Sequence, residues 1–213
     1  MLGPTKTKKH WKQANEIISS DRFQLFQVDL TQEAQVRKFF SNAVKKFKTI
    51  DLVINNAGYG GTLAPVHELD LPEFQKHIEA NLYSVFLGCK HSVPIFRKQK
   101  SGFIINISSM AGKRAVPRLA AYSASKFGVV ALSQCVAKEN TDFEFKCVTV
   151  CPGGMNTEMR SVLFGLKDAE AQQSPEFVAE VIYDIYQGKL SVDSGGDVVV
   201  RHGQVTVNPV PAA

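Results

Sequence analysis

The sequence predicts an α/β protein built around a parallel sheet. Two observations carry that expectation. Short apolar runs alternate along the chain with longer segments whose apolar residues recur at the helical period. The runs are also apolar throughout rather than at every second residue, as strands buried on both faces are. No internal repeat or linker-like stretch divides the chain.

The first run, RFQLFQVDL at 22–30, reads as a strand ending at Asp29. Thr31 then caps a helix on which Val36, Phe39, Phe40, Ala43, Val44 and Phe47 share one face. IDLVINNAG at 50–58 is a short strand that stops on Asn-Asn-Ala-Gly. A long helix begins near Leu71. Asp70 with Glu73 makes a capping-box-like start, Pro72 suits the first turn, and Pro94 is expected to bend or end it. GFIINISS at 102–109 is the next strand, and the helix after it carries Tyr122 and Lys126. FKCVTVCPGG at 145–154 is a strand ended by Pro and Gly. Ser174 and Pro175 open a helix through Gln187, and DVVVRHG at 197–203 is the last short strand. The remainder, VTVNPVPAA, reads as a loose tail. The expected organisation is one domain over 1–203 and a tail over 204–213.

Composition narrows the function. The 213 residues are 44% hydrophobic and 21% charged, ordinary for a globular domain with a sizeable core. No apolar run approaches the roughly 18 residues of a membrane span, and the Lys-containing start lacks the apolar stretch of a secretory signal. The net charge of +5 comes partly from Lys6, Lys8, Lys9 and Lys12 and from Lys45, Lys46 and Lys48. Without interleaved aromatics these read as solvated faces rather than a nucleic-acid platform. Cys89, Cys135, Cys147 and Cys151 form no CxxC pair. Cys147 and Cys151 on one strand would stand roughly 13 Å apart, too far for a disulfide. A reduced, cytoplasmic setting is expected. The five His show no metal spacing.

In parallel sheets ligands sit beyond the C-terminal ends of the strands. The unusual residues of this chain collect there: Asp29, residues 55–58, Ser108 and Ser109, and residues 152–157. Tyr122 and Lys126 lie four apart, so a helix puts them on one face. A cation beside a phenol stabilises the phenolate and brings its pKa nearer to the working pH. A surface pair by chance is the plainer reading of that spacing alone. Ser109, thirteen residues earlier at a strand end, could hydrogen-bond a carbonyl oxygen to which Tyr122 donates. Asn81 sits inside a helix although Asn is a mediocre helix former.

Taken together, NNAG at 55–58, ANLYSVF with Asn81, NISSMAG with Ser109, YSASK with Tyr122 and Lys126, and CPGGMNTEM with Pro152, Gly153 and Thr157 resemble the short-chain dehydrogenase/reductase family. The resemblance covers roughly residues 20 to 160. It implies a doubly wound, Rossmann-like parallel sheet and hydride transfer between NADP(H) or NAD(H) and a carbonyl or alcohol. It implies that Tyr122 is the acid and base, that Lys126 lowers its pKa and holds the nicotinamide ribose, and that Ser109 polarises the substrate oxygen. Asn81 would support the water chain that resupplies the proton. Asn55, Ala57 and Gly58 would lie along the cofactor, Asp29 at its adenine edge, and Pro152, Gly153 and Thr157 on the nicotinamide side. A homodimer or homotetramer through the long helices, here about 71–98 and 122–139, is implied as well.

One part of the pattern is missing, which makes the expected fold N-terminally incomplete. The family begins with a strand, a Gly-rich turn that sets the pyrophosphate on a helix N-terminus, and a second strand. Gly3 is the only early glycine, and the GYGG at 58–61 follows the wrong strand to replace that turn. The strand ending at Asp29 would then have to slide across a gap to pair, or leave two bare edges. A start lying upstream, a genuine short form with lost cofactor affinity, and a site rebuilt with a partner chain all fit. The alternative function is a non-catalytic reductase-like chain that binds a partner or regulates. Lys6 or Lys8 would accept a 2′-phosphate if the enzyme uses NADP. Leu163, Phe164 and Leu166 are expected to form an apolar lid, which points to a hydrophobic or acyl-type carbonyl.

Overall fold

Five strands form one sheet in the order β1-β2-β3-β4-β5. The computed structural model describes residues 24–210. β1 (Leu52–Asn55), β2 (Ser101–Ile107), β3 (Glu144–Pro152) and β4 (Asp197–Arg201) are parallel, and β5 (Gln204–Asn208) returns antiparallel on β4. α1 (Glu33–Phe47) precedes β1. The crossover from β1 to β2 is α2 (Leu71–Ile78), a π-helical turn (Glu79–Tyr83) and α3 (Ser84–Gln99). α4 (Ala120–Lys138) links β2 to β3, and α5 (Glu158–Phe164), α6 (Leu166–Glu170) and α7 (Pro175–Tyr186) link β3 to β4.

Adjacent strand residues point to opposite faces, so the apolar runs feed two cores. Ile104 and Cys147 pack with Val36, Phe40 and Ala43 of α1, Leu87 and Phe96 of α3 and Val129 of α4. Ile105, Val148, Val150, Val198 and Val200 pack with Val178, Val181 and Ile185 of α7. Each fully buried Val or Ile here contributes about 1.5–3 kcal/mol. These layers fix the C-terminal strand ends on one side, where the candidate residues lie. The doubly wound, Rossmann-like expectation is met.

Several local expectations are corrected. Of the strand expected at 22–30, residues 22 and 23 lie outside the described residues, and over 24–30 Leu25 alone is bridged rather than a continuous strand forming. Among the described residues β1 is the edge strand of the sheet. The N-cap position of α1 is Gln32 rather than Thr31, with no side-chain cap. Asp70 makes no cap bond to α2 either; its expected partner Glu73 is occupied by the Tyr59 hydroxyl at 3.0 Å. Pro94 does not end α3, which runs on to Gln99. Residues 204–208 are not a loose tail, because every residue of β5 is paired with β4. β5 alternates Val with polar residues and is exposed along most of its length. Cys147 and Cys151 both lie in β3, and all four cysteines are free. Among the described residues no helix is long and apolar enough to cross a membrane. Lys6 and Lys8 lie outside the described residues.

Candidate active site

Lys126 is where the expected residues meet. It is 3% exposed, and α4 points its Nζ at the end of β2, where it donates to the Ile107 carbonyl at 2.9 Å. That carbonyl is its only hydrogen-bond partner among the described residues. Burial pulls its pKa down to about 8, so the side chain is still cationic at neutral pH. The Nζ stands 5.8 Å from the centre of the Tyr122 ring. The Ser108 hydroxyl donates to the Lys126 carbonyl at 2.8 Å, which ties α4 to the end of β2.

Burial dominates at Tyr122 and raises its pKa, while the hydrogen bond with Ser109 acts in the opposite direction. The expectation that Lys126 pulls Tyr122 down is therefore not met in this state of the site. The phenol rests protonated, and the cation is placed to stabilise a phenolate when one forms. Ser109 sits just beyond β2 and accepts from the Ala111 amide at 3.1 Å.

Asn81 is fully buried in the π-helical turn. Its Oδ1 accepts from the Tyr59 amide at 2.6 Å, and its Nδ2 faces the Tyr59 carbonyl at 3.0 Å and Ser125 Oγ at 3.1 Å. Ser125 in turn donates to the Tyr122 carbonyl at 2.7 Å. Asn81 thus joins the loop after β1 to the turn of α4 that carries Tyr122 and Lys126. A π-helical turn inserts an extra residue into a helix, which re-aims a side chain and is common at functional sites.

The residues expected along the cofactor fall into two groups. Gly58 belongs to the acid–base cluster: a Cβ there would stand 3.5 Å from Asn81 Oδ1 and 3.9 Å from Lys126 Nζ. Its backbone therefore lies beside two polar side chains of that cluster, at distances where a Cβ would make ordinary contact. Pro152 ends β3, the Gly153 amide donates to the Val200 carbonyl at 2.7 Å, and Thr157 caps α5 by accepting from the Arg160 amide at 3.3 Å. Asn55, at the end of β1, is turned instead into the sheet, where its Nδ2 donates to Asn106 Oδ1 at 2.8 Å. Ala57 is exposed. Asp29 accepts from the Thr31 hydroxyl at 2.7 Å and the Thr31 amide at 3.0 Å, an Asx-type turn ahead of α1. Residues 24–51 contain no glycine, so no Gly-rich cradle for a diphosphate precedes β1 among the described residues.

The lid expectation is partly met. α5 does cover the loop after β1, but through Met159 and Leu163: a Cβ on Gly60 would lie 2.7 Å from Met159 Cγ and 2.9 Å from Leu163 Cδ1. Leu166 is 64% exposed and points away. Sequence reasoning also missed Tyr59, Ser125 and His77. Ser125 lies inside YSASK, and His77 stands one helical turn before Asn81, so spacing alone would have brought both forward.

The profile of the family described as short chain dehydrogenase matches residues 3–165. An oxidoreductase, BOA17, of Botryotinia fuckeliana is 40% identical over 131 residues, which is 62% of this chain and 47% of that protein. The trans-4-hydroxycyclohexanecarboxylate dehydrogenase of Sinomonas cyclohexanicum is 31% identical over 201 residues, 91% of this chain and 75% of that protein. The solved structure of ElxO with NADP bound superposes with a TM-score of 0.82 at 25% identity, covering 92% of this chain and 84% of that one. Several of the curated relatives are matched over only about half of their length. With the profile spanning most of the chain, and with the sheet, the crossovers and the strand-end cluster in agreement, this chain is a member of the short-chain dehydrogenase/reductase family.

Proposed function

We propose that this chain is an NAD(P)-dependent oxidoreductase acting on a carbonyl or alcohol, with Tyr122 as its acid and base. The observation that carries this reading is the buried Lys126 cation beneath the Tyr122 ring, joined through Asn81 and Ser125 to the loop after β1. A buried cation with one carbonyl partner is costly unless it has a use.

In the reducing direction the Tyr122 hydroxyl gives its proton to the substrate oxygen, and Ser109 donates a hydrogen bond to that same oxygen. Lys126 stabilises the phenolate left behind, which burial alone would disfavour. In oxidation Tyr122 takes the proton back. The nicotinamide, when bound, supplies or accepts the hydride. Lys126 and the Gly58 backbone would hold its ribose, Asn81 would keep that loop in place, and Pro152, Gly153 and Thr157 would face its ring. Met159 and Leu163 favour an apolar substrate, and the relative acting on a hydroxycyclohexanecarboxylate supports a secondary alcohol or ketone. Tyr83, Phe86 and Phe127, each about two-fifths exposed on α3, α4 and the turn before α3, support assembly into a homo-oligomer.

The test is the reduction of cyclic ketones with NADPH and NADH by the chain and by Tyr122→Phe. Turnover by the parent chain that falls about 10²–10⁴-fold in the variant supports the assignment. Equal turnover in both would sink it.

A further inference from the structure

On the other side of the Ser109 turn, a carboxylate is built into the sheet. Asp197, the first residue of β4, is 3% exposed. Its backbone is in register with Thr149 of β3 on one side and Asn208 of β5 on the other. A lone carboxylate in that place would be costly. Its Oδ2 accepts from Asn208 Nδ2 at 2.7 Å, and its Oδ1 accepts from Lys113 Nζ in an ion pair. Asn208 is its neighbour in the ladder. Lys113 is brought from 84 residues away, out of the segment that follows β2.

The chain between Lys113 and Ser109 is one hydrogen-bonded unit. Ser109 opens a 3-10 turn, Met110–Gly112, and Lys113 closes it. Ser109 Oγ accepts from the Ala111 amide at 3.1 Å, the Ser109 carbonyl from the Gly112 amide at 2.8 Å, and the Met110 carbonyl from the Lys113 amide at 3.0 Å. Gly112 lies against α4, where a Cβ would stand 2.6 Å from the Lys126 carbonyl. Ser108, just before the turn, donates to that same carbonyl at 2.8 Å. The turn is therefore seated on α4 along its length and pinned to β4 at its far end. The Ser109 hydroxyl that hydrogen-bonds Tyr122 rides on it.

We propose that Lys113 and Asp197 are positioning residues for the proposed reaction, acting through Ser109. A buried ion pair adds little stability over apolar side chains of the same volume, but its bonds have direction. Asp197 is fixed by a ladder on each side, so Lys113 sets where the turn stands relative to β4. That in turn sets where Ser109 Oγ meets a substrate oxygen. The role rests on the oxidoreductase reading given above.

The test has two arms on the full chain. The first measures kcat and KM for ketone reduction by the parent, Lys113→Arg, Lys113→Met, Ser109→Ala and Ser109→Ala/Lys113→Met, each first shown by melting to be folded. Lys113→Met is expected to lose about ten- to a hundredfold in kcat with little change in KM, as a displaced group that acts in the transition state does. Lys113→Arg should recover most of that loss. In the Ser109→Ala background, Lys113→Met should cost less than about twofold, because the group it positions is already gone. Lys113→Met leaves a buried carboxylate unpaired, so Lys113→Met/Asp197→Leu is the second probe. Replacing both partners by apolar side chains can keep the fold, and the loss in kcat should persist. The second arm needs no cofactor: the Ala111 and Gly112 amides, both bonded to Ser109, should exchange about tenfold faster in the double variant than in the parent. Equal losses with and without Ser109, parent-like kcat in Lys113→Met/Asp197→Leu, or unchanged amide exchange each overturn the proposal. Amides that loosen in the double variant when the parent shows no turnover overturn the oxidoreductase reading itself, and the role in catalysis falls with it.

Discussion

The half of the site around Tyr122 and the half around Asn55 share the same strand ends but are held in different ways. In the first, Asn81, Ser125 and Lys126 are buried, and each bonds to a different segment of the chain. In the second, Ala57 is exposed, Asn55 turns inward to Asn106, and Asp29 bonds to nearby Thr31. Among the described residues β1 is the sheet's edge, and Ile54 on it is 44% exposed, although Ile105 and Val148, its partners in register on β2 and β3, are fully buried. The proposed acid–base geometry is thus a product of helix-on-sheet packing. A diphosphate cradle, by contrast, is a property of one loop and the helix N-terminus behind it.

Substitutions can break or sharpen that contrast. The largest effect is expected for Tyr122→Phe, about 10²–10⁴-fold in turnover with the fold retained; a fully active variant would separate the buried cluster from catalysis. Next comes Gly112→Ala, whose new Cβ would press on Ser108 Oγ and come 2.6 Å from the Lys126 carbonyl. Because that obstacle is backbone, urea unfolding should show a loss of about 1–3 kcal/mol. No loss would mean that α4 is not seated tightly on the end of β2. The smallest effect is expected in the open half. Ala57→Ser, on an exposed residue, should change stability by less than about 0.5 kcal/mol. A large effect there would show that the open half is packed by something else.

The sequence carried the parts of this architecture that depend on period and order. The apolar runs at 50–58, 102–109 and 145–154 became β1, β2 and β3, and in β2 and β3 the unbroken apolar stretch is buried on both faces. Tyr122 and Lys126 were readable because four residues is one helical turn. Features that depend on neighbours distant in sequence were not readable. RFQLFQVDL has strand composition, yet over the described residues 24–30 only Leu25 is bridged. VTVNPVPAA reads as a tail because only β4 beside it makes Val205 and Val207 half of a hairpin. Asp70 and Glu73 match a capping box, but Tyr59 takes the carboxylate. The rise in the Tyr122 pKa comes from burial, which no spacing reveals. The π-helical turn that aims Asn81 likewise leaves no periodic mark.

The most direct measurement is a titration of the chain with NADPH and with NADH, followed by thermal melting. A ligand that binds the folded state raises its midpoint by an amount set by concentration and affinity. A midpoint that rises with either cofactor, and no longer rises in Lys126→Met, is the result expected of a site whose nicotinamide end is complete. A cooperative transition that neither cofactor moves would contradict the claim that the Lys126–Asn81–Gly58 cluster is a working cofactor site.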